Sequence, residues 1–577
     1  MSMTVEQGTV LAMLGVIVTC LLVTRIKPAF LFAGAAFVAF QTGLMDLADL
    51  AANFTNSSLL TLVLLILAST ALEKTRLISW VGQQISAGKQ AYVIAKLGLS
   101  TAFLSSFTNN TAVVVSLIGA IKRNHHHAPS RLLLPLSYAA ILGGTLTLIG
   151  TSTNLIISSF VEDIGLPALG FFAPSVIGVA VLFGGLAILI PFSYLLPDRD
   201  DNEQDELPYF LEARLEKGSL LAGKTVHENG LRALRRLFLA ELIRDGHTIA
   251  PVCPETHLEE GDVLLFCGDI ESVTTLQEIK GLKLFGQHHM NGQNLAEVIV
   301  SHSASIRGKT LKDACFREQF DAVVVAIRRG HERLAGGLGN IELCAGDTLV
   351  VVPGKEFNQQ QPSLKREFVL VNSLDSSARL DANRSMLALA GFAVVILAAL
   401  LDWVPLVKGL AGYLLLLVMS GMATLSELRR RFPVDIVVIV GSALSLAQLM
   451  ISSGLSAKMG DLFISLFNGW GMYGALIAVY LLTLVLTELV TNNAAAALAF
   501  PLGYSLAVGY GADPMPFIMA VLFGASASFI SPYGYQTNLL VYSVGNYQMK
   551  DYLRTGLPVS LVYSGLVLTL IPRLFPF

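Results

Sequence analysis

The stretch Phe107-Thr108-Asn109-Asn110-Thr111-Ala112 recurs near the other end of the chain as Val490-Thr491-Asn492-Asn493-Ala494-Ala495. Each copy lies inside a long apolar segment, where polar side chains are costly and usually mark function. Each is followed, a few tens of residues later, by a second polar break ending in Thr-Asn. The first break reads Gly150-Thr151-Ser152-Thr153-Asn154, and the second Ser531-Pro532-Tyr533-Gly534-Tyr535-Gln536-Thr537-Asn538. Helix-breaking polar phrases at membrane depth, in corresponding places of two halves, point to a transporter binding site. The pattern implies a secondary transporter.

Composition agrees. Of 577 residues, 53% are hydrophobic and only 14% charged, with a mean hydropathy of +0.63. Soluble domains carry about 25% charged residues, so most of this chain belongs in lipid. A net charge of -3 and a pI near 6.4 give no basic bias, and nucleic-acid binding is not expected. Cys20, Cys253, Cys267, Cys315 and Cys344 show no close C-x-x-C spacing. Four of them fall in the polar middle, which suits reduced thiols rather than a disulfide scaffold or a zinc site. Residues 7–24 resemble a signal peptide in length, but no small-residue cleavage site follows. Arg25-Ile26-Lys27-Pro28 opens a further apolar run, so 7–24 is read as the first membrane helix.

Working outward from the polar phrases, runs of spanning length lie at 7–24, 29–46 and 57–73. The segment 90–121 holds the first Thr-Asn-Asn, 131–160 is interrupted at Gly150–Asn154, and 169–196 closes a first membrane repeat, 1–200. The pattern resumes in a second repeat, 382–577, with runs at 384–402, 407–424 and 433–452. A polar-centred segment at 463–510, a broken run at 514–545 and a last span at 556–574 complete it. Each half reads as three helices, a re-entrant hairpin, a broken helix and a closing helix. No basic residue separates the arms of either hairpin, which favours hairpins over full spans.

Short-loop Lys and Arg set the orientation. Arg25/Lys27, Lys74/Arg76, Lys122/Arg123 with Arg131, and Arg429-Arg430-Arg431 are expected to be cytoplasmic. The loops Met45–Asn56 and Glu162-Asp163 carry no basic residue and are expected outside. Threading the chain through these constraints opens the first hairpin inward and the second outward. The expected fold is therefore a polytopic α-helical membrane protein, built as an inverted repeat with two re-entrant hairpins and two broken helices.

The middle, roughly 207–358, alternates short Val/Ile/Leu runs with charged turns, as small α/β domains do. It repeats internally, dividing into 207–284 and 290–358. Gly223-Lys224-Thr225-Val226 parallels Gly308-Lys309-Thr310-Leu311, and Gly261-Asp262-Val263-Leu264 parallels Gly346-Asp347-Thr348-Leu349. This frame resembles a pair of TrkA-C domains, the C-lobes of regulators of potassium transport. There is no G-x-G-x-x-G after a strand, so a nucleotide-binding N-lobe is not expected. The resemblance implies dimer contacts, or sensing of a small cytosolic effector, on the cytoplasmic side.

Between Leu97 and Ile121, Leu132 and Asp198, and Met459 and Met549 there is no Lys, Arg or His. An anion held among these segments must rely on backbone N–H groups at helix starts, on Asn and Thr donors, and on co-bound cations. Clusters of Asn, Thr, Ser and carbonyl oxygens suit a hard cation such as Na⁺. Asn serves both purposes, offering a carbonyl oxygen to a cation and an NH₂ group to an anion.

The doubled phrase, the paired Thr-Asn breaks and the opposed halves resemble the divalent anion/sodium symporter family of the ion transporter superfamily, across both membrane blocks. That family carries Ser-Asn-Thr at each hairpin tip. Thr108-Asn109-Asn110 and Thr491-Asn492-Asn493 are read into those places, and Thr487-Glu488 matches the family's Thr-Glu. With Asn third in each copy and TrkA-C inserts, the chain is similar to the sulfate-transporting and sulfur-response branch. The resemblance implies one sodium at each tip and its facing break. Site one would be Thr108, Asn109, Gly150, Thr151 and Asn154. Site two would be Thr487, Thr491, Asn492, Ser531 and Asn538. The anion would lie between the tips, on Asn109, Asn110, Thr111, Asn492, Asn493, Thr153 and Thr537. Sodium would be the coupling ion, with no organic cofactor. A homodimer in the cell inner membrane is implied.

Three other readings compete: a dicarboxylate symporter, a cation/proton antiporter or arsenite carrier of the same superfamily, and an ion channel gated by the cytosolic domains. A sulfur-status sensor that keeps a transporter fold is a fourth. Glu488 is a lone carboxylate in a membrane segment, read as a hydrogen-bonded brace rather than a proton relay. His125-His126-His127 reads as a solvated turn, and Glu73 and Asp435 as interfacial. Pro532-Tyr533-Gly534-Tyr535 lacks the repeated run of a potassium filter. No G-x-S-x-G, P-loop or His/Glu metal motif occurs, and no enzyme is expected.

Overall fold

The computed structural model describes residues 3–24, 26–75, 88–122, 124, 126–198, 380–466 and 471–577 of the helical parts. Of the middle it describes 209–216, 218–231, 237–244, 247–249, 252, 255–268, 279, 281–284, 296–301, 304–330, 332–334, 338–353 and 367–370. Arg25, Arg76, Arg123 and His125, used above for orientation or as candidates, lie outside the described residues.

The first half runs α1 (Val5–Val23), α2 (Pro28–Gln41), α3 (Leu47–Phe54), α4 (Ser57–Glu73), α5 (Gln90–Ser105), α6 (Asn110–Lys122), α7 (Pro129–Gly144), α8 (Ser152–Asp163) and α9 (Ser175–Phe192). The second runs α10 (Ala382–Leu400), α11 (Leu406–Met419), α12 (Leu425–Arg430), α13 (Val434–Ser452), α14 (Leu455–Leu466), α15 (Gly471–Leu489), α16 (Asn492–Tyr510), α17 (Met515–Ser526), α18 (Gln536–Val544) and α19 (Met549–Leu574). In both halves two helices meet at the Thr-Asn-Asn turn, a helix is broken at the second polar phrase, and one long helix closes. The short helices α3, α12 and α14 escape a search for apolar runs of spanning length; α14, for instance, carries Lys458 and Asp461.

Among the described residues six helices are long and apolar enough to cross a membrane: Leu47–Glu73 taken together, Ser175–Leu195, Ala382–Leu400, Val434–Ser452, Gly471–Leu489 and Met549–Leu574. The central pieces are shorter and almost wholly buried. Every residue of α7 except Arg131 is buried, as is every residue of α17 except Met515. The periphery is the reverse: α10 buries only Ser385, Ala388, Phe392 and Ile396 and exposes Met386, Leu387, Val394 and Leu397. Apolar residues facing out and polar breaks facing in are the arrangement that lipid selects.

Helix pairs repeat between the halves. The first arm of each turn lies along the first piece of its own broken helix, α5 on α7 and α15 on α17. Small residues let these pairs approach: a side chain at Gly143 would sit 2.4 Å from Ala102 Cα. The second arms pack on their own half, α6 on α7 and α16 on α17, and also across, α16 on α8 and α6 on α18, so each half grips the other.

Polar contacts gather at the two ends of the bundle. At one, Lys74 Nζ meets Glu427 at 2.5 Å and Arg431 pairs with Glu73, while Leu380 N donates to Lys74 O at 3.2 Å. At the other, Gln7 Nε2 donates to Ser453 O at 2.9 Å and Ser57 Oγ to Glu162 at 2.9 Å.

The middle forms two five-stranded antiparallel sheets. The first orders β3 (His247–Ile249), β2 (Leu237–Arg244), β4 (Val263–Gly268), β1 (Tyr209–Leu215) and β5 (Leu282–Leu284). The second orders β8 (Glu332–Arg333), β7 (Ala322–Arg329), β9 (Thr348–Pro353), β6 (Ala296–Val300) and β10 (Phe368–Leu370), the same topology strand for strand. The repeated Gly-Asp of the sequence has a structural reason. Arg244 forks onto Asp262 at 2.8 Å, and Arg329 onto Asp347 at 2.7 and 2.8 Å. Asp347 is fully buried, and its hydrogen bonds hold the Arg329 guanidinium firmly charged. Even the bulge repeats, between Leu239 and Glu241 in one sheet and Val324 and Ala326 in the other. Strand β10 lies beyond the boundary at 358 expected from the internal repeat. Among the described residues the middle holds little helix, chiefly Phe316–Phe320.

The second sheet unit sits on the helical bundle. Ser543 Oγ donates to Gly346 O, and Arg328 donates to Ser543 O at 3.4 Å. Gly346 and Gly330 have positive φ and lie so close that a Cβ would meet Leu539 at 2.8 Å and Tyr542 at 3.1 Å. Lys122, at the end of α6, faces Glu297 of β6 at 4.0 Å. The same unit thus touches the far ends of α6 and α18.

Candidate functional site

Both Thr-Asn-Asn turns and both breaks meet at the centre. Four helices begin there: α6 at Asn110, α8 at Ser152, α16 at Asn492 and α18 at Gln536. Each helix start presents the positive end of its dipole, and helix starts are where backbone N–H groups lack partners within the helix.

The breaks are built alike. Asn154 Nδ2 donates to Gly144 O at 3.2 Å and Thr147 O at 2.9 Å, ten and seven residues before it. Asn538 Nδ2 donates to Ser528 O at 2.9 Å and Ser531 O at 3.4 Å, again ten and seven residues before. Each Asn closes the carbonyls that the break leaves orphaned. Gly150 and Gly534 correspond, and both are forced by close approach: a Cβ would lie 2.5 Å from Gly144 O and 2.3 Å from Ser528 Oγ.

The turns correspond in a register different from the one read in the sequence. Ser105 Oγ donates to Asn110 Oδ1, and Thr487 Oγ1 to Asn492 Oδ1 at 2.9 Å, five residues apart in both cases. Asn110 is therefore the counterpart of Asn492, Thr111 of Asn493, and Asn109 of Thr491. The matching phrases are Asn109-Asn110-Thr111 and Thr491-Asn492-Asn493. Identical letters had aligned Thr108 with Thr491, but the first turn is two residues longer, from 106 to 109 against 490 to 491. Thr108 is spent on its own helix, donating to Leu104 O at 2.7 Å. Asn109 caps α6, accepting from Thr111 N at 2.9 Å and Ala112 N at 3.4 Å. Ser105, missed in the sequence, stands where Thr487 stands in the other half.

The halves then cross. Asn110 Nδ2 donates to Tyr535 Oη at 2.6 Å, and Thr111 Oγ1 to Gln536 Oε1 at 3.4 Å. In the mirror position Ser152 Oγ and Thr153 Oγ1 donate to Asn493 Oδ1 at 3.1 and 3.2 Å. Thr151 Oγ1 lies 3.5 Å from Tyr535 Oη. Asn109 and Gln536 are exposed to the gap, and Thr111, Ser152, Thr491, Asn493 and Tyr535 are half-buried. Tyr535 and Gln536 stood inside the quoted break, yet no periodicity singled them out. Thr537 differs from Thr153 in its partner: both are buried, but the Thr537 hydroxyl accepts from Ser137 Oγ at 2.8 Å on α7, while that of Thr153 meets a turn residue. Thr537 is not among the residues that line the gap.

The residues expected around sodium fall into two groups. Thr487, Asn492, Ser531 and Asn538 cluster, with Thr487 Oγ1 also donating to Ala525 O at 2.7 Å. In the first half the hydrogen-bonded pair Ser105 and Asn110 holds the place that Thr487 and Asn492 hold in the second. The Oδ1 of Asn154 is buried with no hydrogen-bond partner, an oxygen available to a cation.

Glu488 is a brace. Its Oε1 accepts from Phe529 N and Ile530 N and its Oε2 from Ser531 N, all at 2.9 Å. In the first half Ser106 holds the equivalent place, and its carbonyl accepts from Thr147 Oγ1 at 2.5 Å. His127 approaches Gly88 O at 3.0 Å, and no group of metal-ligating side chains occurs among the described residues.

A helical bundle with a polar, cation-free centre between four helix starts is that of a multi-pass membrane transporter. The profile of the citrate transporter family matches residues 9–524. A putative sulfur deprivation response regulator of Chlamydomonas reinhardtii is 31% identical over 558 residues, covering 92% of this chain and 95% of that protein. An uncharacterized transporter of Synechocystis is 29% identical over 558 residues, 92% of this chain and 90% of that protein. Sodium/sulfate cotransporter 1 of Chlamydomonas reinhardtii is 27% identical over 378 residues, 62% of this chain and 43% of that protein. The chain belongs to the citrate transporter family, among the divalent anion/sodium symporters and on their sulfate-related branch.

Proposed function

We propose that this chain is a sodium-coupled symporter of a small divalent oxyanion, sulfate first. The observation that carries the reading is the meeting of four helix starts in a centre whose segments contain no Lys, Arg or His. An anion there meets helix dipoles, amide and hydroxyl donors, and cations that travel with it. The sodium/sulfate name of a relative agrees with that chemistry. A proton antiporter would lean on a titrating carboxylate, and Glu488 is engaged with three backbone N–H groups.

In this reading the halves are inverted repeats and the two turns are tips of re-entrant hairpins. Supporting it, α6 and α18 end beside the sheet unit, while α8 ends at Glu162 near the start of α4, at the opposite end of the bundle. Sodium one is held by Ser105, Asn110 and Asn154, and sodium two by Thr487, Asn492 and Asn538. The anion sits between the tips on Asn110, Thr111, Asn492, Asn493 and Thr153. The two sheet units are TrkA-C-like regulatory domains on the cytoplasmic side of the inner membrane, open to a small effector. The exposed apolar faces of outer helices leave room for a homodimer.

The test is uptake of labelled sulfate into proteoliposomes, with and without an inward sodium gradient, for the wild type, Asn110→Ala and Asn492→Ala. Sodium-dependent uptake lost in both variants supports the reading. Uptake indifferent to sodium, or to both substitutions, overturns it.

A further inference from the structure

Tyr138 and Tyr547 also bridge the two halves, but on other helices of the bundle. Among the described side chains that join the turns to the facing breaks, Tyr535 is the aromatic one. It stands at the cap of α18 in extended conformation, and its hydroxyl reaches the first turn at Asn110 and the start of α8 at Thr151. The other residues at the gap, Asn109, Thr111, Ser152, Thr491, Asn493 and Gln536, are amides or small hydroxyls. The ring therefore sets how much room the gap has.

The ring cannot be moved aside by the backbone. Gly534 before it is wedged, since a Cβ there would lie 2.3 Å from Ser528 Oγ and 2.7 Å from Thr487 O. The strand leading to it is tied by Glu488 to the amides of Phe529, Ile530 and Ser531. Such a brace preorganises what it supports. The hydroxyl is also chemically committed. It accepts from Asn110 Nδ2 at 2.6 Å, so its own proton remains to be donated, and Thr151 at 3.5 Å is too far for a strong bond. A phenolic O–H held in this way beside four helix starts is a donor for an anion.

We propose that Tyr535 sets the size of the anion. Its fixed ring leaves space for one compact oxyanion and shuts out extended dicarboxylates, whose charges sit at two ends of a carbon chain. Its O–H donates to the oxyanion that fits. The proposal rests on the anion-symporter reading above and names what selects within it. Neutral hydrophobic pockets discriminate weakly, whereas a site with a fixed polar partner rejects strongly.

The experiment compares labelled sulfate and labelled succinate uptake, under a sodium gradient, for the full chain in proteoliposomes carrying wild type, Tyr535→Phe or Tyr535→Ser. Sulfate-dependent rise in Tm of the detergent-solubilised protein is measured alongside. The wild type takes sulfate and not succinate. Tyr535→Phe still excludes succinate, and its KM for sulfate rises about tenfold, the loss of one hydrogen bond to a charged group. Tyr535→Ser gains sodium-dependent succinate uptake that sulfate competes. If Tyr535→Ser remains closed to succinate while still taking sulfate, the ring does not set the size. If both variants lose uptake, with a lowered Tm that sulfate no longer raises, Tyr535 is a latch between the halves and the proposal fails. A wild type that takes succinate as well as sulfate refutes the filter and leaves the symporter standing. A wild type inert to both anions overturns the symporter reading itself.

Discussion

Asn110 and Asn492 occupy one and the same place in the two halves, each accepting a hydrogen bond from a hydroxyl five residues upstream. The equivalence ranks substitutions. Asn110→Ala leaves the buried Ser105 hydroxyl without its acceptor, a loss of roughly 1–3 kcal/mol, whereas after Asn492→Ala the Thr487 hydroxyl keeps Ala525 O. Both variants remove an amide from the centre. Both are expected to lower sulfate uptake at least tenfold. Asn109→Ser and Thr108→Val touch only a helix cap and a helix end, and are expected to stay within about threefold, since a good cap substitute costs little. Initial rates of uptake decide it. A chain more sensitive at Asn109 than at Asn110 would restore the register read from identical letters.

Thr153 and Thr537 occupy equal places in the sequence and unequal ones in space. Thr153 donates to Asn493, while Thr537 faces Ser137 inside the bundle. Thr153→Val is expected to raise the KM for the anion several-fold, and Thr537→Val to leave it unchanged while lowering Tm, each losing a hydrogen bond of about 1 kcal/mol. Saturation curves and thermal melts of the two variants separate the roles.

Glu488→Gln replaces one of two accepting oxygens by a donor that meets the Ser531 N–H. The expected result is a drop in stability of roughly 1–3 kcal/mol, from the unmet N–H and the lost charge assistance. Uptake should fall in step with that loss, and sodium dependence should persist. If transport stops while Tm is unchanged, Glu488 carries protons and is not a brace.

Gly346 and Gly261 are counterparts in the two sheets, with φ near +87° and +91°. Alanine at either strains the backbone alike, at about 1–3 kcal/mol. Only at Gly346 would the new methyl collide, with Leu539 of α18, whereas nothing lies within 4 Å of a Cβ at Gly261. Gly346→Ala is expected to change the maximal uptake rate and Gly261→Ala to leave it near wild type. Equal effects from the two would uncouple the sheet unit from transport.

The architecture could be read largely from where polar residues interrupt apolar runs, because lipid tolerates such interruptions only for cause. Asn154 and Asn538 stood out on that ground, and each does close its break. The contacts between halves were less legible. Nothing in the spacing of Tyr535 or Gln536 says that they meet Asn110 and Thr111, more than 420 residues away. The one-residue slip at the first turn has a simple cause. Matching letters compares composition, whereas the fold aligns the hydroxyl-to-amide bond, which spans five residues in both halves. Helices α3, α12 and α14 were invisible because they are too short or too charged to register as spans.

One further consequence follows from the length of α18. It has nine residues, Gln536 at its start and Ser543 and Val544 at its end. At 1.5 Å per residue it is about 13 Å long. Its first residue touches Thr111, and its last turn touches the second sheet unit through Ser543. A rod this short carries a displacement of its outer end to its inner end without any relay of side chains. Tilting the rod by its outer end would retune the gap directly.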